Sequence, residues 1–286
     1  MEDTRAPILY QGFPMLGRGR AQIWAYAPEF RRPRHFHAEH ELNLVVAGAA
    51  WFGVGEAVVE VKAGELLAFA PGQDHVLLRA SKDLLLFATG IDAALVGEVL
   101  GHARHRAWLP LHIRPQREEW QVLVRRVSDA AGRESSQSAA ELCERVYLAR
   151  GGDAACARAA THVFTRRTLE IICEAPDLGR SEVARLARAN ESEISRFFHR
   201  DFGVRWVEYR TRLRLMRFMR LVDQRATNLT AAAIGSGFGS YSQFHRSFQA
   251  SFSCAPREFF TTGLRERMEQ AFEPFNRSMP APPSAR

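Results

Sequence analysis

Two sets of side chains in this 286-residue sequence have types and spacing suited to chemistry. In the first, His35 and His37 stand two residues apart, so on a strand both imidazoles point to one face. Imidazoles brought together in this way can hold a transition metal, hydrogen-bond one another or bind a small acid. The second set is a repeat: Asn190-Glu-Ser192-Glu-Ile194-Ser-Arg196-Phe-Phe198 aligns with Ser240-Tyr-Ser242-Gln-Phe244-His-Arg246-Ser-Phe248, fifty residues on. At about 100° per residue, a helix places Ile194, Phe197, Phe198 and Phe202 on one side and Ser192, Ser195, Arg196 and His199 on the other. The second copy sets Phe244, Phe248 and Phe252 against Ser242, His245, Arg246 and Gln249. Arginine can bind guanine O6 and N7 together, and small polar groups can approach base edges, so the polar faces suit a DNA major groove. The same pattern also fits two amphipathic core helices that happen to match.

The elements that must position these groups are legible around them. Asn190 and Ser240 are good N-caps, and Glu193 completes a capping box in the first copy. Each copy follows a shorter helix and a turn: 181–187 before Arg188-Ala189, and 229–236 before Gly237-Phe238. That is a helix-turn-helix layout, in which the second helix reads the groove. Gly237 supplies a left-handed turn without a Cβ penalty, whereas Arg188 in the equivalent place is less suited. Upstream, apolar or alternating runs at 22–26, 42–46, 51–54, 58–61, 66–69, 76–78 and 84–88 lie between Gly, Pro and Asp turns and predict an antiparallel sandwich or small barrel. From 91 to 127 the pattern becomes helical, through Leu95, Val99, Trp120, Leu123, Val124 and Val127. Residues 128–138 read as a mobile break, and a further helix around 142–148 ends at Gly151-Gly152. The chain from 161 to about 260 reads as nearly all helix, and the Pro-rich end as disordered.

Charge separates the two halves. Residues 1–160 hold 19 Lys+Arg and 19 Asp+Glu, whereas residues 161–263 hold 16 against 10, every basic one an arginine. A concentrated arginine excess fits a polyanionic partner, and also a solvated basic face. No apolar run is long enough to span a bilayer and the N-terminus lacks a signal-peptide layout, so no membrane partner and a cytoplasmic location are expected. Cys143, Cys156, Cys173 and Cys254 are scattered, which suits reduced thiols and argues against a four-cysteine zinc site.

At the repeat the sequence resembles the AraC/XylS family of bacterial regulators. The resemblance runs from Thr161 to Phe260 and is carried by Leu229 through Gly237-Phe238, then Ser242, Phe244, Arg246, Phe248 and Pro256. In the first unit Ala184, Ile194, Arg196, Phe198 and Gly203 match, followed by Tyr209, Arg214 and Leu215. By position, the resemblance implies that Ser192, Ser195 and Arg196, then Tyr241, Ser242, Gln243, His245 and Arg246, face bases. The sequence departs from the family pattern at Arg188 and Ser253, where glycines are usual, at Phe218, where a small residue is usual, and at Phe260, where an arginine is usual. Arg210, Arg212, Arg214, Arg217 and Arg220 on the linking helix either touch phosphates or solvate its outer face. The N-terminal half resembles a cupin: His35, His37 and Glu41 with Gly48, then Gly64, Pro71-Gly72 and His75. That resemblance implies a metal set of His35, His37, Glu41 and His75 for Zn, Ni, Mn or Fe, or a pocket holding only an organic ligand. His40 is offset from the pattern and expected to be exposed.

The expected architecture is a multi-domain α+β chain. It comprises an N-terminal antiparallel, cupin-like β-barrel (1–90), a helical connector able to dimerise (91–160), an all-α double helix-turn-helix unit (161–263) and a tail (264–286). The resemblance implies a sequence-specific, non-enzymatic transcriptional regulator with double-stranded DNA, a small molecule or ion effector, RNA polymerase and a second copy of itself as partners. The competing expectation is a metal-dependent cupin enzyme with an accessory basic helical domain. A sequence-indifferent DNA-packaging protein is a third, which would need no sensor domain.

Overall fold

The computed structural model describes residues 8–13, 19–26, 32–108, 111–133, 135–148, 161–224 and 228–265. The N-terminal strands are β1 (Leu9–Tyr10), β2 (Ala21–Ala25), β3 (His35–Phe36), β4 (His40–Ala47), β5 (Ala49–Val54), β6 (Ala57–Lys62), β7 (Glu65–Phe69), β8 (His75–Ala80), β9 (Leu85–Ile91) and β10 (Leu111–Ile113). They form two five-stranded sheets, ordered β1-β3-β8-β5-β6 and β10-β7-β4-β9-β2. Pairing is antiparallel except between β1 and β3. Val45, Phe52, Leu67, Phe69 and Leu86 from both sheets share one apolar layer, so the module is a double-sheet jelly roll, open at its edges, and not a closed barrel.

The second sheet is buried on its outer face as well. Helices α1 (Ala93–Leu100), α2 (Arg117–Ala130) and α3 (Ser136–Leu148) lay Leu95, Leu123, Val127, Leu142 and Val146 over Ile23, Leu42, Leu44 and Phe87. The apolar stripe of the connector is therefore spent on this sheet. It also explains why β4 reads as a continuous apolar run: both of its faces are covered. His40 opens that strand and is buried, contrary to the exposure expected from its offset position. Burial pushes its pKa down to about 3, with a backbone bond to Ala107 opposing and His37 adding to the shift.

Two other expectations are corrected. The stretch at 91–127 is not helical throughout, because β10 adds a strand to the edge of β7. The break expected at 128–138 is a tight turn: α2 runs to Ala130, α3 starts at Ser136, and the buried Ser135 hydroxyl donates to the carbonyls of Ala130 and Arg133. Gly151-Gly152 and the tail beyond residue 265 lie outside the described residues.

The helical half contains α4 (Val163–Glu174), α5 (Arg180–Ala187), α6 (Glu191–Phe202), α7 (Trp206–Gln224), α8 (Leu229–Gly235), α9 (Tyr241–Phe252) and α10 (Pro256–Thr261). The capping box of Asn190 and Glu193 is formed, and Ser240 caps α9 by accepting from the Gln243 N–H. Ile194, Phe198, Phe202, Phe244, Phe248 and Phe252 are all buried with Trp206, Tyr209 and Phe218 in one core. Gly237 takes the expected left-handed turn at φ 100°.

Among the described residues, the non-glycine positions with positive φ are Arg188 (54°) and Ser253 (57°), the C-caps of α5 and α9. A Cβ in this region costs about 1–2 kcal/mol, partly offset because glycine frees the unfolded chain. Arg188→Gly and Ser253→Gly are each expected to stabilise the protein by about 1 kcal/mol, read as a rise in urea midpoint at constant slope.

Candidate functional site

The two sheets bring the histidines together from different strands. His35 and His75 are direct partners across β3 and β8 in the first sheet, which puts both imidazoles on the same face. Glu41 comes from β4 in the second sheet, opposite Phe69 and Gly90. His35, His37 and His75 are all buried, and one ring nitrogen from each lies within 4.8 Å of the others.

The hydrogen bonds fix which nitrogens these are. Each Nδ1 faces a backbone carbonyl: His35 to Pro33 at 2.8 Å, His37 to Glu39 at 3.0 Å and His75 to Gln73 at 3.0 Å. A carbonyl only accepts, so each Nδ1 carries a proton and each Nε2 is left to face the cluster. The Glu41 Oε2 lies 2.9 Å from His37 Nε2 and 3.3 Å from His75 Nε2, while Asn43 donates to its Oε1 at 2.8 Å. His75 Nε2 is buried and makes no hydrogen bond. A ring nitrogen and a carboxylate oxygen at these distances share a proton or hold a cation between them. Burial pushes the Glu41 pKa up, but His75 and His37 outweigh it and hold the carboxyl well below its usual range. His35 is held well below the usual imidazole value, first by burial and then by His75, Arg32 and His37. The Arg32 guanidinium lies 3.3 Å from His35 Nε2 and competes for that lone pair.

Beyond this polar end the chamber is apolar, lined by Phe13, Trp24, Phe52, Leu77, Leu86 and Ala88, with a volume of about 110 Å3. Phe13 closes one side by packing on Trp24 and crossing Gly90, where an added Cβ would run into the Phe13 ring. Gly90→Ala is expected to displace Phe13 from the chamber and to destabilise the protein by about 1–3 kcal/mol, measured by urea unfolding.

The second candidate surface is the pair of polar helix faces. Ser192, Ser195 and Arg196 on α6, and Ser242, Gln243 and Arg246 on α9, are exposed; His199, Tyr241 and His245 are half-buried. Several carry local duties. Ser195 donates back to the Glu191 carbonyl, Arg196 rests on the Phe197 ring at 4.5 Å, and Gln243 accepts from the Gly239 N–H at 3.0 Å. His199 lies 3.3 Å from Glu56 of the β5–β6 turn.

Three of the five arginines of α7 depart from both roles expected of them, whereas Arg217 is half-buried and Arg220 exposed. Arg210, Arg212 and Arg214 are buried, neither solvated nor open to phosphate. Arg210 donates to the Leu178 carbonyl, and Arg214 donates to the carbonyls of Pro176 and Asp177. Arg212 reaches into the β-module, where it bonds Asp74 at 2.6 Å and the Gly72 carbonyl at 3.1 Å. Burial alone would raise the Asp74 pKa; Arg212 and Arg34 outweigh it and hold the carboxyl below its usual range. The contribution of this group to stability is therefore present above about pH 4 and is lost as pH falls through the lowered value. Apart from Glu208, one turn from Arg212, the partners of these arginines lie 32 to 140 residues away, where nothing local in the sequence pointed to them.

Comparison with known proteins adds the family. Residues 21–149 match the model of the AraC-like ligand binding domain, and residues 183–262 match a helix-turn-helix domain. Among solved structures, apo ToxT from Vibrio cholerae is similar at 12% identity, over 84% of this chain and 95% of that one, with a TM-score of 0.43. Unsaturated fatty acid bound ToxT is similar at 14% identity, over 84% and 93%, with a TM-score of 0.41. Oxalate decarboxylase from Bacillus subtilis is similar at 17% identity over 26% of this chain and 22% of that one, with a TM-score of 0.21. No curated protein matches the chain. With both halves matched, the chain belongs to the AraC family, and it is a ligand-modulated, DNA-binding transcriptional regulator.

Proposed function

We propose that α6 and α9 enter successive major grooves, with Arg196 and Arg246 as the principal base readers. The observation that carries this is their equivalent, exposed placement on two capped helices whose opposite faces are buried in one core. Ser192, Ser195, Ser242 and Gln243 flank them, while Tyr241, His245 and His199 stand at the rims of the same faces. Selection of bound DNA from a random pool tests the reading. On the selected operator, Arg196→Ala and Arg246→Ala are each expected to weaken binding by about 1–3 kcal/mol and relax preference in one groove. Equal losses on operator and random DNA would make them phosphate contacts.

The chamber is the effector site in this reading. Its lining suits a ligand that is apolar apart from a head group at the histidines. The donor set fits a divalent ion, since one ring nitrogen from each of three buried histidines lies within 4.8 Å of the others and the Glu41 carboxylate reaches two of them, His37 and His75. A bound ion would supply a fixed positive charge for an anionic head group. Zinc titrated into the intact protein is expected to bind stoichiometrically and raise its melting temperature, with both effects lost in His37→Ala. An unchanged melting temperature and sub-stoichiometric zinc would leave an organic ligand alone.

The protein acts by binding and not as an enzyme, and a bacterial regulator of this kind works in the cytoplasm, where RNA polymerase is its partner. Among the described residues no helix is long and apolar enough to cross a membrane. Homodimerisation belongs to the same reading. Because Leu123 and Val127 are spent on the sheet, the surface for it is the outer face of α2, where Val122 is exposed.

A further inference from the structure

A second space lies across Phe69 from the histidines. The Phe69 ring stacks on His75, which lines the chamber, and it also lines a separate cleft of about 440 Å3, against about 110 Å3 for the chamber. One wall of this cleft comes from β6, β7 and β10, and the other is the end of α6, from His199 to Gly203. At its edge the backbones of Gly55 and Gly203 meet so closely that a Cβ on Gly203 would lie 2.7 Å from the Glu56 nitrogen.

The chemistry of this space is carried by Gln73, which lines it and is 3% exposed. The Ala70 N–H donates to Gln73 Oε1 at 3.2 Å, which fixes the amide with its oxygen on the chain and its nitrogen turned away. Among the described residues, Gln73 Nε2 donates to no group. A buried amide nitrogen without an acceptor costs free energy, so an acceptor oxygen is what the cleft lacks. The rim sets the charge of the molecule that brings one. Each basic group there already faces a carboxylate: His199 lies 3.3 Å from Glu56, Arg200 2.6 Å from Asp201 and His112 3.1 Å from Glu65. A carboxylate ligand would therefore lose water without gaining a counter-charge, and a cation would leave Nε2 without its acceptor. The walls at Val59, Leu67, Phe69, Leu111 and Phe202 suit a hydrocarbon body.

We propose that this cleft is a second small-molecule site, which takes an uncharged, largely apolar molecule through a carbonyl oxygen set against Gln73 Nε2. It is separate from the chamber, whose polar end is built of ionisable groups. The probe is butyrophenone, a neutral aryl ketone, titrated into the full chain and read in the side-chain amide resonances of Gln73, which are identified by their absence in Gln73→Glu. Butylbenzene, which lacks the oxygen, and phenylbutyrate, which carries a charge, are read at the same resonances. Butyrophenone is expected to shift them and to bind there about tenfold more tightly than either of the others. Gln73→Glu keeps the oxygen that accepts from Ala70 and loses the donor, so it is expected to weaken butyrophenone binding about tenfold. Ala57→Phe fills the cleft from an exposed position and is expected to abolish binding with the melting temperature preserved. His37→Ala alters the chamber and is expected to leave butyrophenone binding as in the parent. Equal binding of butylbenzene, or tighter binding of phenylbutyrate, would overturn the carbonyl assignment. Butyrophenone binding that is lost in His37→Ala and kept in Ala57→Phe would put the ketone in the chamber and overturn the second site. So would the absence of any shift at Gln73.

Discussion

A carboxylate removed from water must be compensated on both oxygens, and at Asp74 the compensation comes from two different modules. Arg34 belongs to the β-module and Arg212 to the helix that joins the two reading units. Removing either leaves a buried charge short of a partner, so the docked arrangement and the conformation of segment 71–75 are enforced together. The same segment delivers His75 to the chamber, and its Gly72 N–H anchors on the His37 carbonyl. The histidine cluster and the helix joining the two helix-turn-helix units thus meet on five residues of backbone.

The parts of the molecule legible from sequence are those with local causes. The strands with alternating or continuous apolar runs, the two capped helices and the turn at Gly237 each announce themselves within a dozen residues. The strands that were not legible, β1, β3 and β10, are two or three residues long, too short for a period to show. Spacing alone put His35 and His37 on one face. It did not show that register pairs His35 with His75, or that Glu41 arrives from the facing sheet. His40 was misjudged because its burial depends on helices laid over β4 from elsewhere in the chain. Arg210, Arg212 and Arg214 were misjudged for a similar reason: charge suggests solvent, and tertiary contacts reveal their carbonyl and carboxylate partners.

The departures from the family pattern are coupled in space. Phe218, where a small residue is usual, packs 4.3 Å from Phe244 and 6.0 Å from Phe260, itself in the place of an arginine. A larger ring on α7 and an apolar ring on α10 fill the same corner of the core, so each makes room for the other. Arg188 and Ser253 show the opposite economy. Their left-handed caps persist without glycine because the turns around them are held by burial on either side, which tolerates a strained residue where an isolated turn would not.

The meeting of Gly55 with Gly203 has a consequence for how such a contact can vary over descent. Two main chains in direct apposition offer no side chain to enlarge, shrink or recharge, and both glycines are also held at positive φ. Drift at either position therefore abolishes the fit instead of grading it. Gradual adjustment of how firmly the two modules hold one another is left to side-chain contacts such as Glu56 with His199, Tyr10 with Phe252 and Arg212 with Asp74. The glycine pair is a fixed point of the contact, and evolutionary tuning falls to the side chains elsewhere in it.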